Sequence, residues 1–292
     1  MNSPVENPVA LGPTDVKVSP IGVGTNRWGS RRQAGPAQRE TFDAIAAAGI
    51  TFFDTAEIYT MGASERTIGR CIHESGRRPV VLTKFFPMPW RLGKPALRAA
   101  LKRSLERLQL AQVDVYLLHF PWGPLPLETW VHALADVAHE GLTRAVGISN
   151  CSSEQMRRAH AVLSARGVPL ACNEVEFSLL KRGPEKSGLL SLCRELGTTL
   201  IAYRPLASGA LVRMGTAEAD ARLRPLIDAV KRIGEGHGKT PSQVAINWVM
   251  CKGALPIPGA SNARHAHENA GALGWRLSAA EVAELDSASP AG

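Results

Sequence analysis

Short apolar segments recur along the chain at a spacing that indicates strands separated by helices. The eight segments centre on Gly22, Phe52, Val81, Val115, Val146, Cys172, Leu200 and Leu255. Most successive centres are about 26 to 34 residues apart, which suits a strand, a crossover helix and the next parallel strand. The last interval is longer and has room for two helices, at about 223–236 and 241–252. Segments such as 79–82 are apolar throughout, as is typical of strands buried on both faces of a parallel sheet.

Amphipathic patterns and capping sequences between these segments predict the helices. Four leucines from Leu97 to Leu108 recur at helical spacing, and charged residues occupy positions between them. A Ser or Thr followed three residues later by Gln or Glu predicts a capped helix start. This pattern occurs at Ser152, Thr240 and Ser278.

The count of elements fits two architectures, and the placement of polar residues favours one of them. Eight strands alternating with about eight helices make a (β/α)₈ barrel, although a doubly wound sheet has a compatible count. Six apolar segments end on a polar or ionisable side chain: Asp54, Lys84, His119, Asn150, Glu174 and Tyr203. Barrel enzymes carry their chemistry at the C-terminal ends of the strands, and only a closed barrel brings six consecutive strand ends to one cavity. We therefore predict an α/β fold of the (β/α)₈ TIM-barrel class.

The N-terminal segment predicts a small addition to this barrel. Residues 9–11 and 16–18 can form a short hairpin around Gly12 and Pro13. No linker or low-complexity stretch indicates a second domain, so we predict one domain over residues 1–292. The N-terminus lacks the basic region and apolar core of a signal peptide, and no apolar run approaches the length that spans a bilayer. We therefore expect no membrane partner.

Composition and charge narrow the classes of function. Hydrophobic residues make up 45% of the chain and charged residues 21%, which excludes wholesale disorder. The net charge is +8, but the basic residues cluster as doublets at most, so solvated helix faces explain them better than a nucleic-acid partner does. Five dispersed cysteines argue against a disulfide framework or a metal site, and for a reducing cytoplasm.

Four residues near the predicted strand ends, Asp54, Tyr59, Lys84 and His119, form a combination suited to proton delivery. Each one alone is more often a local hydrogen-bonding group than a catalyst. An ammonium at Lys84 favours the phenolate and lowers the pKa of Tyr59, which would make the phenol a usable general acid. Asp54 offsets the cost of burying Lys84, and His119 can orient a carbonyl oxygen. Together they suit proton transfer to an oxygen that is becoming an alkoxide.

The segments around these residues resemble the aldo-keto reductase family. The resemblance rests on residues 53–59, 62–65, 83–84, 114–119, 147–150, 203–206, 257–261 and 268–269, and so covers essentially the whole chain. It implies a (β/α)₈ barrel that reduces aldehydes and ketones with NAD(P)H. Tyr59 would be the general acid, Lys84 and Asp54 would tune it, and His119 would orient the substrate carbonyl.

The resemblance also implies a cofactor site. Ser149 and Asn150 would hold the nicotinamide carboxamide, and Tyr203 would stack on the ring. The other implied cofactor contacts are Gly24, Thr25, Asp54, Glu174, Arg204, Leu206, Ser208, Gly209, Gly259, Ser261, Asn262, Arg264, Glu268 and Asn269.

Three positions depart from the pattern of this family. Glu174 stands where many members have Gln, and an ionised carboxylate there would favour the cationic, oxidised nicotinamide. Arg204 stands where a small Ser often follows the stacking Tyr. Gly259 stands where some members have a Lys beside the 2′-phosphate, which leaves Arg264 and Ser261 as the candidates for that contact. On this basis we expect NADP(H) in preference to NAD(H).

The substrate is predicted only as a small-molecule carbonyl compound. Trp28, Phe86, Trp90 and Trp122 follow strand ends, where they can wall an apolar pocket or pack beneath loops. A second interpretation is a catalytically weak subunit that binds the cofactor and senses its redox state, because the family includes channel-associated members. A nucleic-acid-binding role rests on charge alone.

Overall fold

A short antiparallel hairpin precedes a parallel barrel in the computed structural model, which describes residues 8–30, 36–123, 125–207 and 221–290. The hairpin pairs β1 (Val9–Ala10) with β2 (Lys17–Val18), as predicted. The barrel strands are β3 (Val23–Gly24), β4 (Phe52–Asp54), β5 (Val80–Phe85), β6 (Val113–Leu118), β7 (Thr143–Ser149), β8 (Leu170–Glu176), β9 (Thr199–Tyr203) and β10 (Leu255–Ile257). Each strand pairs in parallel with the next one along the chain.

Backbone hydrogen bonds between the first and last barrel strands close the sheet. The amides of Gly22 and Gly24 donate to the carbonyls of Pro256 and Pro258 at 2.9 and 3.1 Å, and Gly24 also bridges to Gly259. This closure confirms the (β/α)₈ barrel and rules out the open, doubly wound sheet.

Helices cover the outside of the barrel. They are α1 (Pro36–Ala47), α2 (Ala63–Ser75), α3 (Lys94–Leu108), α4 (Leu127–His139), α5 (Ser153–Ala165), α6 (Gly183–Lys186), α7 (Leu189–Glu195), α8 (Arg224–His237), α9 (Pro241–Cys251), α10 (Ala263–Ala270) and α11 (Ala279–Ala288). The two helices predicted in the last interval are α8 and α9. The predicted capping boxes form at Ser152, Thr240 and Ser278.

The apolar core has two layers, one inside the barrel and one between the strands and the helices. Phe52, Leu82 and Leu117 belong to the inner layer, which the hairpin residues Leu11 and Val18 join. The hairpin lies at the N-terminal end of the barrel, because the Gly12 amide donates to Thr199 Oγ1 at 2.8 Å at the start of β9. With that end filled, the opposite end is the one that can hold a ligand.

Two further features of the described residues bear on the expectations from the sequence. Among the helices described, none combines the length and apolar character needed to cross a bilayer. The five cysteines all lie in the described part of the chain, and none of them forms a disulfide.

Candidate active site

A cavity of ≈ 910 Å³ lies at the C-terminal ends of the strands. The sequence-predicted residues that line it are Gly24, Trp28, Asp54, Tyr59, His119, Ser149, Asn150, Glu174, Tyr203, Arg204, Leu206, Gly259, Ser261, Arg264, Glu268 and Asn269. They come from strand ends far apart in the sequence, so the barrel brings together what the chain separates.

Lys84 is the centre of the polar network at the base of this cavity. Its ammonium contacts Asp54 Oδ1 and lies 3.0 Å from the Thr55 carbonyl, 3.3 Å from the Tyr59 hydroxyl and 3.4 Å from Glu174 Oε2. Lys84 is fully buried on β5, next to β4, which ends at Asp54. The carboxyl groups raise the pKa of Lys84 above its ordinary value even though burial lowers it, so the ammonium stays charged.

Tyr59 lies on a tight turn directly after β4. The next two residues, Thr60 and Met61, have left-handed backbone angles (φ 45° and 54°), which non-glycine residues seldom adopt. The Thr60 hydroxyl donates to the Trp28 carbonyl at 2.7 Å and holds this turn against the loop after β3. The turn thereby presents the Tyr59 hydroxyl to Lys84.

The pKa of Tyr59 is shifted in the direction opposite to the sequence prediction. Burial raises the pKa of the phenol well above 10, the Lys84 ammonium opposes that shift, and the carboxyl groups of Asp54 and Glu174 add to it. Desolvation of the phenol, which was not part of the prediction, outweighs the single ammonium, and the network contains two carboxyl groups rather than Asp54 alone. Tyr59 is therefore firmly protonated at neutral pH.

His119 follows β6 and faces Tyr59. The two rings lie edge to face with centroids 5.8 Å apart, and Phe120 stacks on the imidazole at 4.9 Å. Burial and the nearby Lys84 charge lower the pKa of His119 to about 3. The imidazole is therefore neutral, and a neutral ring carries one N–H that can donate to a ligand oxygen.

Glu174 is buried in the base of the cavity. It is 1% exposed, and burial, with a further contribution from Asp54, raises its pKa to about 8 while Lys84 opposes the shift. An ionised carboxylate, whose effect on the oxidised nicotinamide was considered from the sequence, is not the form present here. At neutral pH Glu174 holds a proton, because one ammonium does not neutralise two buried carboxylates.

Amide and hydroxyl groups at the ends of β7 and β9 form a second polar cluster in the cavity. Asn150 has a left-handed backbone (φ 57°), and its side-chain amide donates to the His119 carbonyl and to Ser149 Oγ, both at 3.0 Å. The Tyr203 hydroxyl donates to Asn150 Oδ1 at 2.9 Å. These bonds hold Asn150 at the cavity wall, where an amide ligand can exchange hydrogen bonds with it.

Three exposed arginines, Arg27, Arg204 and Arg264, line the cavity, whereas Asp54 and Glu174 are buried in its base. The positive side chains therefore lie towards the solvent. This separation suits a ligand with anionic groups near the rim.

The predicted cofactor residues that follow β10 lie at the start of α10 and around it. Ser261 Oγ lies 2.9 Å from His265 Nδ1, and Asn269 donates to the Gly259 carbonyl at 3.3 Å. The Thr240 hydroxyl donates to the carboxylate of Glu268. Gly259, Ser261, Arg264, His265, Glu268 and Asn269 all line the cavity, whereas Thr240 does not.

Two of the described residues that were predicted to contact the cofactor, Thr25 and Asn262, do not line the cavity. Thr25 is fully buried and bonds to the Asp54 carbonyl and to Ser64 Oγ, so it supports the site from behind. Asn262 caps α10 by accepting from the His265 amide at 2.9 Å. Ser208 and Gly209 lie outside the described residues.

The four predicted substrate-pocket aromatics separate into different environments. Trp28 lines the cavity, and its indole N–H donates to the Ala260 carbonyl at 2.8 Å. Phe86 packs edge to face on His119 at 5.6 Å and on Trp122 at 5.3 Å. Trp90 is 73% exposed and is not part of the cavity lining. Phe86 and Trp122 thus extend the aromatic surface beside His119, and Trp90 does not.

Several cavity residues were not predicted from the sequence. They are Asn26, Arg27, Phe120, Pro205, Ser242, Ile257, Pro258 and His265. Most directly follow or neighbour a residue that was predicted, so extending each strand-end motif by one or two positions would have found them. Ser242 is an exception, because it lies on α9 and reaches the site only through helix packing.

Comparisons with known proteins find a family model, curated relatives and solved structures that are similar to this chain. A model described as the Aldo/keto reductase family matches residues 20–290. Chloroplastic pyridoxal reductase of Arabidopsis thaliana is 38% identical over 95% of this chain and 84% of its own. The aldo-keto reductase yakc of Schizosaccharomyces pombe, designated NADP(+), is 30% identical over 90% of this chain and 86% of its own. A crystal structure of an aldo-keto reductase from Klebsiella pneumoniae in complex with NADPH has a TM-score of 0.81 and 33% identity, covering 98% of this chain and 96% of that one.

Proposed function

The chain belongs to the aldo/keto reductase family, and from this premise we propose that it reduces an aldehyde or ketone to an alcohol with NADPH. The observation that carries the proposal is the convergence of Tyr59, Lys84, Asp54 and His119 at one end of the cavity. These are the four side chains that the reaction requires, and they meet only through the barrel fold.

The residues of the cavity fit a nicotinamide dinucleotide phosphate. Gly24 and Gly259 line the cavity without side chains, and a Cβ on Gly24 would come within 3.2 Å of the Ile257 carbonyl oxygen. Arg204 and Arg264 suit the pyrophosphate and the 2′-phosphate, and Asn150 suits the carboxamide. The Klebsiella structure contains NADPH and the fission yeast relative is designated NADP(+), which supports the same cofactor here. When bound, the cofactor supplies the hydride.

The protein's own side chains supply the proton that the substrate oxygen takes up in the reduction. The neutral imidazole of His119 donates a hydrogen bond to the substrate oxygen and holds it near the Tyr59 hydroxyl. The high pKa of Tyr59 keeps the phenol protonated until the oxygen becomes an alkoxide, which is a stronger base than a phenolate. Lys84, 3.3 Å away, then stabilises the phenolate, and Asp54 holds Lys84 in place.

An aromatic carbonyl compound is the substrate class that we propose to test first. Trp28 and Phe120 line the cavity, and Phe120 stacks on His119. Phe86 and Trp122 pack against Phe120 outside the cavity lining, which corrects their prediction as lining residues. Flat apolar walls with a few polar groups suit a planar ring that carries a carbonyl group. The Arabidopsis relative is described as a pyridoxal reductase, so pyridoxal belongs in the panel.

The test is a cofactor-oxidation screen with pyridoxal, benzaldehydes, aliphatic aldehydes and ketones. We expect the loss of NADPH absorbance to depend on protein and substrate together. Tight NADPH binding with no turnover of any carbonyl would overturn the proposal and favour the redox-sensing subunit instead.

We further propose that residues 1–292 form one domain and act in a reducing compartment, the cytoplasm. The family match over residues 20–290 and five cysteines without a disulfide support these two points. The Arabidopsis relative is described as chloroplastic, so fractionation of the source cells is the direct measurement of location.

A further inference from the structure

At the base of the cavity a single ammonium, that of Lys84, lies beside two buried carboxyl groups. Lys84 contacts Asp54 Oδ1 and lies 3.4 Å from Glu174 Oε2, and these two carboxyl-bearing residues are 2% and 1% exposed. One positive charge cannot neutralise two ionised carboxylates, and an excess buried charge is costly enough for one carboxyl to keep a proton. Asp54 is hydrogen-bonded to Lys84, whereas Glu174 Oε2 has no hydrogen-bond partner. Glu174 therefore holds the proton.

Charged and titratable groups face Glu174 from several elements. They are Asp54 on β4, Tyr59 on the turn after it, Lys84 on β5, Cys172 on β8 itself and Tyr203 on β9. Burial raises the pKa of both phenols and of the Cys172 thiol, so these three groups are neutral at neutral pH. From β7, the Ser149 hydroxyl donates to the Glu174 carbonyl at 2.9 Å. Burial raises the pKa of Asp54 as well, but Asp54 contacts the Lys84 ammonium more closely than Glu174 does, so Glu174 is the carboxyl group of this cluster that exchanges a proton near pH 7.

We propose that Glu174 couples the redox state of the bound cofactor to a proton, so that the oxidised form binds with proton release and the reduced form does not. The proposal rests on the proposed function. Glu174 lines the cavity, and its backbone carbonyl accepts from the Asn150 amide at 2.9 Å, which places it beside the residues that suit the nicotinamide end. The nicotinamide ring is a cation when oxidised and neutral when reduced. A cation nearby favours the ionised carboxylate, and the proton passes to the solvent.

When the reduced cofactor is bound, Glu174 is in the other protonation state. With no positive ring beside it, Glu174 keeps its proton, and a carboxylic acid can both donate and accept a hydrogen bond. In that state it offers a carboxamide the same two functions as the Gln that many family members have. Glu174 thereby retains the hydrogen bonds of an amide and adds a charge that appears only with the oxidised cofactor.

Calorimetric titration of the whole protein with NADP⁺ and with NADPH tests this proposal without turnover. The heat of binding is measured at pH 7 in phosphate, HEPES and Tris, whose ionisation enthalpies differ, and the dependence on buffer gives the number of protons released. Protons exchanged by the 2′-phosphate cancel in the difference between the two ligands. We expect NADP⁺ to release up to one proton more than NADPH. Between pH 6.5 and 7.5 the affinity for NADP⁺ relative to NADPH should rise by up to about tenfold.

Two variants on the same strand sharpen the test. In Glu174→Gln the difference in proton release should disappear, and NADP⁺ should weaken about fivefold relative to NADPH at pH 7. In Glu176→Gln, which removes the carboxylate that lies 3.7 Å from Arg204, the difference should remain. Equal proton release for both ligands by the wild-type protein would overturn the proposal whether or not the variants fold. Failure of either ligand to bind would instead contradict the proposed function.

Discussion

At the scale of single residues, the environment of each side chain decides its charge. Tyr59 and His119 are both neutral, but for different reasons, because burial disfavours the phenolate of one and the imidazolium of the other. Burial lowers the pKa of Lys84, but the carboxylate of Asp54 beside it outweighs that effect and keeps the ammonium charged. The result is one firmly held acidic proton next to a fixed positive charge.

Replacing Tyr59 by Phe should remove the proton donor and leave the cavity intact. We expect the turnover number to fall about 10² to 10⁴-fold while the affinity for NADPH, measured by fluorescence titration, stays nearly unchanged. Tyr116→Phe is the matched control, since that buried hydroxyl on β6 has no hydrogen-bond partner. Turnover of Tyr59→Phe within about tenfold of the wild type, roughly 1.4 kcal/mol of barrier, would rule out Tyr59 as the acid.

Replacing Arg264 by Ala should test the choice of cofactor. If the exposed guanidinium at the start of α10 binds the 2′-phosphate, we expect NADPH to weaken about tenfold and NADH to change little. The NADH titration serves as the internal control, because NADH lacks only that phosphate. An equal loss of affinity for both cofactors would show that Arg264 shapes the loop and does not bind the 2′-phosphate.

At the scale of elements, a buried ion pair between Glu65 and Arg107 joins α2, the helix after Tyr59, to α3. Glu65 also bonds to β5, the strand that carries Lys84. Glu65 on α2 is fully buried and accepts from Thr83 Oγ1 on β5 and from Arg107 Nε on α3, both at 2.6 Å. Thr83 is the neighbour of Lys84 in the chain. The pair therefore fixes the position of the Tyr59 turn relative to Lys84.

Breaking that pair should cost far more than breaking a surface pair on the same helix. Arg107→Met leaves the Glu65 carboxylate buried without its cation, and we expect the free energy of unfolding in urea to fall by about 3 kcal/mol. The control is Arg98→Met, which removes an exposed ion pair with Glu140 and should change stability by no more than about 1 kcal/mol. Equal losses in both variants would show that the burial of Glu65 is not what matters.

At the scale of the whole molecule, the inner layer of the barrel leaves no space at certain glycines. A Cβ on Gly147 would lie 2.6 Å from Leu117 Cδ2 and 2.8 Å from the Cys172 carbonyl oxygen, and the second of these is backbone. The register between β7 and β8 also shifts at this point. The closed sheet therefore requires glycine at position 147, where a Cβ has no space.

Gly147→Ala should destabilise the barrel, whereas the same change on a helix surface should not. We expect a loss of about 1 to 3 kcal/mol in the free energy of unfolding, from overpacking against atoms that cannot move independently. Gly236→Ala on α8 meets nothing within 4 Å and should be neutral or stabilising by up to about 1 kcal/mol. A stable Gly147→Ala protein would mean that the strands separate more easily than the packing indicates.

The raised pKa of Glu174 should also appear in the pH dependence of global stability. Below its ordinary pKa the residue is protonated in both states, but between there and about pH 8 only the unfolded chain loses the proton. Stability due to this group is therefore lost as the pH rises, by up to roughly 1.4 kcal/mol per pH unit. The difference in unfolding free energy between Glu174→Gln and wild type should grow from pH 5.5 to 7.5, and that of Glu176→Gln should stay flat. A constant difference for Glu174→Gln would contradict the raised pKa.

The sequence by itself determined the order of strands and helices, because hydrophobic periodicity and capping are local properties of the chain. The hairpin from Val9, the capping box at Thr240 and the strand-end positions of Asp54 and His119 were all predicted without coordinates. Motifs contiguous in sequence, such as 53–59, likewise indicated the residues of the site.

Only the tertiary structure decided the charge states and the outer contacts, because these depend on residues distant in the chain. The pKa of Tyr59 rises because the barrel buries the phenol and because the carboxyl groups of Asp54 and Glu174 add to that shift, and no local pattern in the sequence shows either cause. Ser242 joins the cavity, and Trp90 is directed to solvent, through the packing of whole elements. Sequence patterns report which side chains stand at the strand ends, and desolvation in the closed barrel determines what those side chains can do.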